Sequence, residues 1–165
     1  MNEDKRVKRL AVLAILTALV ACFTMFLKVP TAIGYANLGD GVILFGSLLL
    51  GPVSAVAAAV GSALADLLQG YAVYAPWTLI IKGGMALICG VLLRKQQDWL
   101  HQIIAYVVSE LWMVAGYFLV EAFILSYGVS GAVGSIVPNL LQGAAGVCFA
   151  LMIAPARRSI EKGIL

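Results

Sequence analysis

Residues 10–27 read LAVLAILTALVACFTMFL, a run of eighteen residues without a charged side chain. A helix needs about 20 residues to cross the hydrocarbon core of a bilayer, so this run is long enough to form a membrane span. The basic residues before it and the cysteine at residue 22 are similar to a lipoprotein signal. The run stays apolar beyond Cys22, however, where a mature lipoprotein turns polar. We therefore predict a first transmembrane helix over residues 10–27.

The composition of the whole chain excludes a soluble enzyme and a disordered chain. Its 165 residues are 62% hydrophobic and 12% charged, with a mean hydropathy of +1.01. Soluble domains carry about 25% charged residues, and a domain of this size leaves about a third of its surface in water. The net charge of +3 comes from residues at the ends of apolar segments. Nucleic acid is therefore not an expected partner.

Six apolar segments predict an all-α integral membrane protein, a six-transmembrane-helix bundle that forms a single domain over residues 1–165. The second segment is too short to cross the bilayer upright, so we expect a tilted or partial span that ends at Gly51. The segment from Lys28 to Asp40 is rich in Pro, Gly, Tyr and Asn, and we interpret it as an ordered loop. The predicted helices cover residues 10–27, 41–51, 53–70, 77–94, 102–126 and 136–156.

The positive charges predict the orientation in the membrane. Nine of the eleven Lys and Arg residues precede the first segment or follow the fourth or the sixth. With six crossings these nine residues share one side, which the positive-inside rule assigns to the cytoplasm. We therefore expect both termini in the cytoplasm and lipid around the bundle.

This orientation places most polar side chains of the spans in the outer half of the membrane. Two pairs have a spacing of three residues, which puts each pair on one helix face. A charged group in the hydrocarbon region costs at least about 2.5–3.5 kcal/mol on insertion scales, so such groups face the bundle interior. We expect them to line a cavity open to the outside. The polar candidates are Asp66, Gln69, Lys82, Glu121, Asn139 and Gln142, and the candidates for an aromatic wall are Tyr74, Trp77 and Tyr117.

Two plainer interpretations stay open. The polar groups can instead hold the helices together, with Lys82 paired with Asp66 or Glu121. The aromatic residues Tyr71, Tyr74 and Trp77 can form a belt at the membrane surface.

Several kinds of catalytic chemistry are absent from the sequence. The one histidine, His101, lies at the predicted cytoplasmic border, and the three cysteines are far apart. The sequence contains no G-x-x-x-x-G-K-[ST] motif for ATP phosphates. We expect neither a metal site nor a cofactor, and the pattern favours binding over catalysis.

Small residues on the first segment predict a docking surface. Ala14 and Ala18 are four residues apart, and such spacing lets helix backbones approach closely within a membrane. This face is a candidate contact with another membrane protein.

The order and spacing of several motifs resemble the substrate-binding S components of energy-coupling factor (ECF) vitamin transporters. The resemblance covers essentially the whole chain and is strongest toward the hydroxymethylpyrimidine, pyridoxine and riboflavin-type branch. The motifs are YANLGD at 35–40, LGP at 50–52, ADLLQGY at 65–71, YAPW at 74–77 and IKG at 81–83.

The resemblance implies a mechanism and partners. S components bind a vitamin or its precursor in an outer cavity, under a loop that here places Asn37 and Asp40 at the cap. An Ala-x-x-x-Ala face, matched by Ala14 and Ala18, docks onto a transmembrane coupling protein that two cytosolic ATPases drive. The implied location is the bacterial plasma membrane.

The side chains restrict the expected ligand to a small aromatic heterocycle with hydroxyl or amine groups. We expect hydroxymethylpyrimidine or a B6 vitamer, with a riboflavin-type substrate as the alternative. Rival functions are a stand-alone proton-coupled carrier that uses Glu110, Glu121, Asp66 and Lys82, a membrane enzyme, and a structural subunit.

Overall fold

The computed structural model describes residues 3–31 and 35–164 of the chain. Within these residues the helices are joined by short turns, and one antiparallel hairpin pairs Lys28 with Asn37 and Pro30 with Tyr35. Two 3-10 turns, Gly51–Val53 and Ala154–Ala156, follow the second and sixth helices. The helices and strands are α1 (Glu3–Phe26), β1 (Lys28–Pro30), β2 (Tyr35–Asn37), α2 (Gly39–Leu50), α3 (Ser54–Leu68), α4 (Ala75–Leu92), α5 (Trp99–Phe123), α6 (Gly128–Ile153) and α7 (Arg157–Ile164).

Helix α2 lies at the centre of the bundle. All of its residues are buried, and it packs against α1, α3, α4 and α6. Twelve residues give a helix of about 18 Å, well short of a hydrocarbon core of about 30 Å. The chain turns at Gly51, whose φ of +66° suits glycine. Helix α4 passes so close to this turn that a Cβ at Gly90 would lie 2.5 Å from the Gly51 carbonyl carbon.

The helices have the length and composition of a multi-pass membrane protein. Helices α2 and α3 and the turn between them form one continuous apolar stretch, so hydropathy alone does not separate them into two spans. Six crossings and cytoplasmic termini therefore stay predictions. The stretches that meet the length and hydropathy of a span are Arg6–Phe26, Gly39–Leu68, Ala75–Leu92, Trp99–Phe123 and Gly128–Lys162.

Two predicted boundaries need correction. Helix α1 begins at Glu3 rather than at residue 10, because Glu, Lys and Arg favour helix and continue it beyond its apolar part. Helix α6 begins at Gly128 rather than at residue 136. Its Gly- and Ser-rich first turns predict a loop, but Ala132 and Ser135 are buried against the rest of the bundle, and this packing outweighs the weak helix propensity.

The two ends of the bundle differ in chemistry. At one end, the Arg9 guanidinium donates a hydrogen bond to the Leu50 carbonyl (3.3 Å), and the basic helix α7 lies against α2. The β1–β2 hairpin lies at the other end, beyond the carboxyl end of α1 and the amino end of α2. The polar side chains of the spans gather beneath this hairpin.

Candidate binding site

A cavity lies under the hairpin, between α1, α3, α4, α5 and α6. Its water-accessible volume is about 50 Å³. The lining mixes carboxylates, amides, hydroxyls, one ammonium and aromatic rings. The lining residues are Thr24, Thr31, Tyr35, Asn37, Ser62, Asp66, Tyr71, Tyr74, Thr78, Lys82, Tyr117, Glu121, Ser135, Pro138, Asn139 and Gln142.

Eight of the eleven predicted binding residues lie in this lining. They come from the hairpin and from helices that are far apart in the sequence, so the fold alone brings them together. These residues are Asn37, Asp66, Tyr74, Lys82, Tyr117, Glu121, Asn139 and Gln142.

A buried ion pair forms the floor of the cavity. The Lys82 ammonium on α4 bonds Asp40 Oδ1 on α2, and both side chains are almost completely buried. The other oxygen, Asp40 Oδ2, accepts a hydrogen bond from Gln142 Nε2 on α6 (2.5 Å). The Lys82 ammonium also lies 5.5 Å from the centre of the Tyr117 ring, within cation–π distance. Charge neutralisation and hydrogen bonds together make this pair tolerable inside the bundle.

The hairpin is fixed to this floor through Asn37. Its backbone N–H donates to Gln142 Oε1 (2.8 Å), and its side-chain Oδ1 accepts from the Gly39 N–H (2.9 Å). A Cβ at Gly39 would lie 2.2 Å from the Thr24 hydroxyl, so only glycine fits where α1 meets the start of α2. Gln142 thus links the hairpin that covers the cavity to the Asp40 carboxylate in its floor by hydrogen bonds.

Glu121 on α5 forms one wall. Its Oε2 accepts a hydrogen bond from the Ser135 hydroxyl, and its Oε1 accepts one from the Tyr74 hydroxyl (3.4 Å). Nearby, the Thr78 and Tyr117 hydroxyls lie 3.0 Å apart and share a hydrogen bond. Both carboxylate oxygens of Glu121 are therefore bonded within the protein.

Asp66 on α3 forms the facing wall and holds the hairpin. The Tyr35 hydroxyl donates to Asp66 Oδ1 (2.5 Å). Burial, and then the negative charge of Asp66, raise the pKa of Tyr35 above its usual range, so this hydroxyl keeps its proton as a donor. Gln69 Nε2 donates to the Tyr35 oxygen (3.3 Å), and Lys28 donates to Gln69 Oε1.

Three predicted residues lie outside the lining. Asp40 is below the cavity rather than at its cap, because its carboxylate neutralises Lys82. Gln69 lies at the rim and holds the hairpin through Lys28 and Tyr35. Trp77 packs against the hydrophobic core, whereas its neighbour Thr78 lines the cavity.

Several lining residues escaped the sequence analysis although their spacing pointed to them. Ser62 precedes Asp66 by four residues, Thr78 precedes Lys82 by four, and Ser135 precedes Asn139 by four, so each shares a helix face with a predicted residue. Tyr35 lies in the hairpin, where no periodicity identifies it.

One further acid lies close to the floor. Glu110 on α5 is 5% exposed, and neither carboxylate oxygen bonds another described residue. A Cβ at Gly146 would lie 2.9 Å from Glu110 Oε1 and 3.0 Å from the Asp40 Cβ, so glycine makes room for both side chains. Glu110 does not line the cavity.

The predicted docking residues lie elsewhere. Ala14 and Ala18 are exposed on α1, whereas Val12, Leu16 and Val20 on the same helix are buried against the bundle. The outer face of α1 thus presents Ala14 and Ala18 among the larger exposed side chains of Leu10, Ile15 and Leu19.

Comparison with known proteins places this architecture in a family. The sequence model of the family described as "ECF-type riboflavin transporter, S component" matches residues 4–158. The chain belongs to this family. S components of this kind are substrate-binding subunits of vitamin transporters that work with an ECF module, so the chain is a transport subunit rather than an enzyme.

Two relatives match most of the length of this S component. A protein from Lactococcus lactis subsp. cremoris, named thiamine precursor transporter HmpT, is 31% identical in an alignment 163 residues long that covers 94% of this chain and 90% of HmpT. A protein of Pyrococcus woesei, described as an uncharacterized protein in the gap 3′ region, is 36% identical over 131 residues, 78% of this chain and 86% of that protein.

A solved structure shares the fold of this S component. It is titled "Structure and mechanism of the S component of a bacterial ECF transporter" and superposes with a TM-score of 0.76 at 19% identity. The match covers 94% of this chain and 98% of the other.

Proposed function

We propose that this S component binds a single-ring vitamin precursor, hydroxymethylpyrimidine or a B6 vitamer, in the cavity beneath the hairpin. The observation that carries the proposal is the small cavity in which polar side chains of α3, α4, α5 and α6 surround a few aromatic rings. A single heterocycle can stack on Tyr117 or Tyr74 while its hydroxyl and amine groups bond the carboxylates and amides. The resemblance to HmpT supports a thiamine precursor.

The proposed site uses the predicted lining residues in different roles. Asp66, Asn139 and Gln142 bond the ligand, and Lys82 closes the floor. Glu121 positions Tyr74 and Ser135 at the wall. Asn37 and Tyr35 hold the hairpin over the ligand.

Transport needs partners that this chain does not supply. We propose that Ala14 and Ala18 dock onto a transmembrane coupling protein, which two cytosolic ATPases drive, in the plasma membrane of the cell. The exposure of both alanines on α1 supports this surface.

A riboflavin-type substrate is the second candidate, since the family description names riboflavin. Its three fused rings and ribityl chain need far more room than one ring. The small volume between the described side chains favours the single-ring ligand.

Isothermal titration of the purified chain in detergent tests the proposal. We expect hydroxymethylpyrimidine or pyridoxine to bind with a Kd well below micromolar, and riboflavin to bind at least a hundredfold more weakly. Tighter binding of riboflavin would move the chain to the second candidate. If none of the three compounds gives a heat of binding, both candidate substrates are contradicted.

A further inference from the structure

The two carboxylates that line the cavity differ in their bonding. Glu121 accepts a hydrogen bond on each oxygen, from Tyr74 and from Ser135. Asp66 is 4% exposed, and its Oδ1 accepts from the Tyr35 hydroxyl at 2.5 Å. Its Oδ2 is buried and has no donor in hydrogen-bonding geometry among the described residues, although the Thr78 hydroxyl, which shares a hydrogen bond with Tyr117, lies nearby. A buried carboxylate oxygen without a donor is costly, so Asp66 is the acid with bonding capacity left for a ligand.

A second polar atom with bonding capacity left lies one helical turn away. Ser62 precedes Asp66 by four residues on α3, is 1% exposed and lines the same cavity. Its hydroxyl makes no hydrogen bond to another described residue. Asp66 and Ser62 thus offer, on one helix face, an anionic acceptor beside a hydroxyl that can donate or accept.

No lysine or arginine in the described lining lacks an acidic partner. Lys82 is the one ammonium in the described lining, and Asp40 neutralises it. Lys28 is exposed at the rim and bonds Gln69. The groups that face Asp66 are otherwise neutral hydroxyls, those of Tyr35, Thr78 and Tyr117, with Glu121 across the cavity. The lining therefore presents two carboxyl groups, Asp66 and Glu121, and no cation free to pair with them.

From this arrangement we infer that Asp66 and Ser62 form a subsite for an N–H donor next to a ring nitrogen, and that the cavity rejects phosphate esters of its ligand. The inference rests on the proposed function and specifies its substrate class: a neutral or cationic amino-heterocycle in its unphosphorylated form. The amine donates to Asp66 Oδ2, and the Ser62 hydroxyl donates to the ring nitrogen. A phosphate would face Asp66 and Glu121 without a free cation in the described lining, and like charges brought together at a binding surface weaken binding.

Calorimetric titration of the wild-type chain with three probes tests the subsite. The probes are 4-amino-5-hydroxymethyl-2-methylpyrimidine, its phosphate ester, and the analogue with hydrogen in place of the amine. A lost hydrogen bond to a charged group weakens binding by about tenfold to a hundredfold, which we expect for the analogue without the amine. We expect the phosphate ester to bind at least a hundredfold more weakly than the alcohol.

Variants locate the effect within the cavity. Asp66→Asn is expected to weaken binding of the amine probe by at least tenfold and to reduce its advantage over the analogue to less than threefold. Ser62→Ala is expected to weaken the amine probe by about fivefold. Ser109→Ala is the matched control, because Ser109 is a buried helical serine that bonds the Ala105 carbonyl outside the cavity.

The outcomes separate the subsite from the proposed function. If the amine probe binds tightly but the phosphate ester or the analogue binds equally well, the subsite is wrong and the proposed function stands. Equal affinity of Asp66→Asn and wild type for the amine probe has the same meaning. If none of the single-ring probes binds the wild-type chain, both the proposed function and the subsite are wrong. The wild-type probe series decides the question even where Asp66→Asn does not fold.

Discussion

Ala14→Leu is expected to abolish uptake of the ligand by cells while leaving binding to the purified chain unchanged. Ala14 is exposed on the outer face of α1, far from the cavity, so the larger side chain disturbs neither the core nor the ligand. Helices that meet through small residues approach each other closely, and a leucine side chain at such a contact separates the backbones. The measurement pairs uptake of labelled ligand, in cells that express a complete ECF module, with titration in detergent.

A matched variant controls for the added bulk. Ala145 is also an exposed alanine, on α6. Ala145→Leu adds the same side chain to a face without the Ala-x-x-x-Ala spacing, and we expect normal uptake. Normal uptake by Ala14→Leu as well would remove α1 from the docking surface, and loss of binding by Ala14→Leu would point to a folding defect instead.

Lys82→Met is expected to lower the free energy of unfolding by about 3–5 kcal/mol, because removing one partner of a buried ion pair leaves the other charge unpaired. The Asp40 carboxylate would remain completely buried, with Gln142 as its remaining side-chain donor. The measurement is denaturant unfolding in detergent, followed by tryptophan fluorescence.

Two further variants isolate the ion pair. Lys28→Met removes an exposed lysine whose partner is the neutral Gln69, so we expect a loss below about 1 kcal/mol. In the double variant Asp40→Asn with Lys82→Met the stranded charge is gone, and the summed single effects should exceed the double effect by at least about 1 kcal/mol. A Lys82→Met chain as stable as Lys28→Met would show that the pair contributes nothing.

The sequence predicted the helices and the convergence of polar groups because both leave a local pattern. Each predicted segment overlaps a helix, and a polar residue in an apolar run must face inward wherever the run lies. The start of α6 left no such pattern. Its Gly- and Ser-rich turns read as a loop, and only their packing in the bundle makes them helical.

The partners within the site depend on tertiary geometry that spacing does not encode. If the polar groups only join helices, the sequence predicts Asp66 or Glu121 as the partner of Lys82. Its partner is instead Asp40, 42 residues away at the start of the central helix. Asp40 therefore lies in the floor instead of the cap. The hairpin places the Tyr35 hydroxyl where it donates to Asp66. The periodicity of the apolar segments does not indicate this hairpin.

An experimental density map of the purified chain with its bound ligand tests the central claim most directly: side chains from separate helices form one ligand-binding cavity. We expect a single-ring molecule beneath the hairpin, in contact with Asp66 on α3, Tyr117 on α5 and Asn139 on α6. A ligand bound at another place, or these three side chains on surfaces with no enclosed space between them, would contradict the claim.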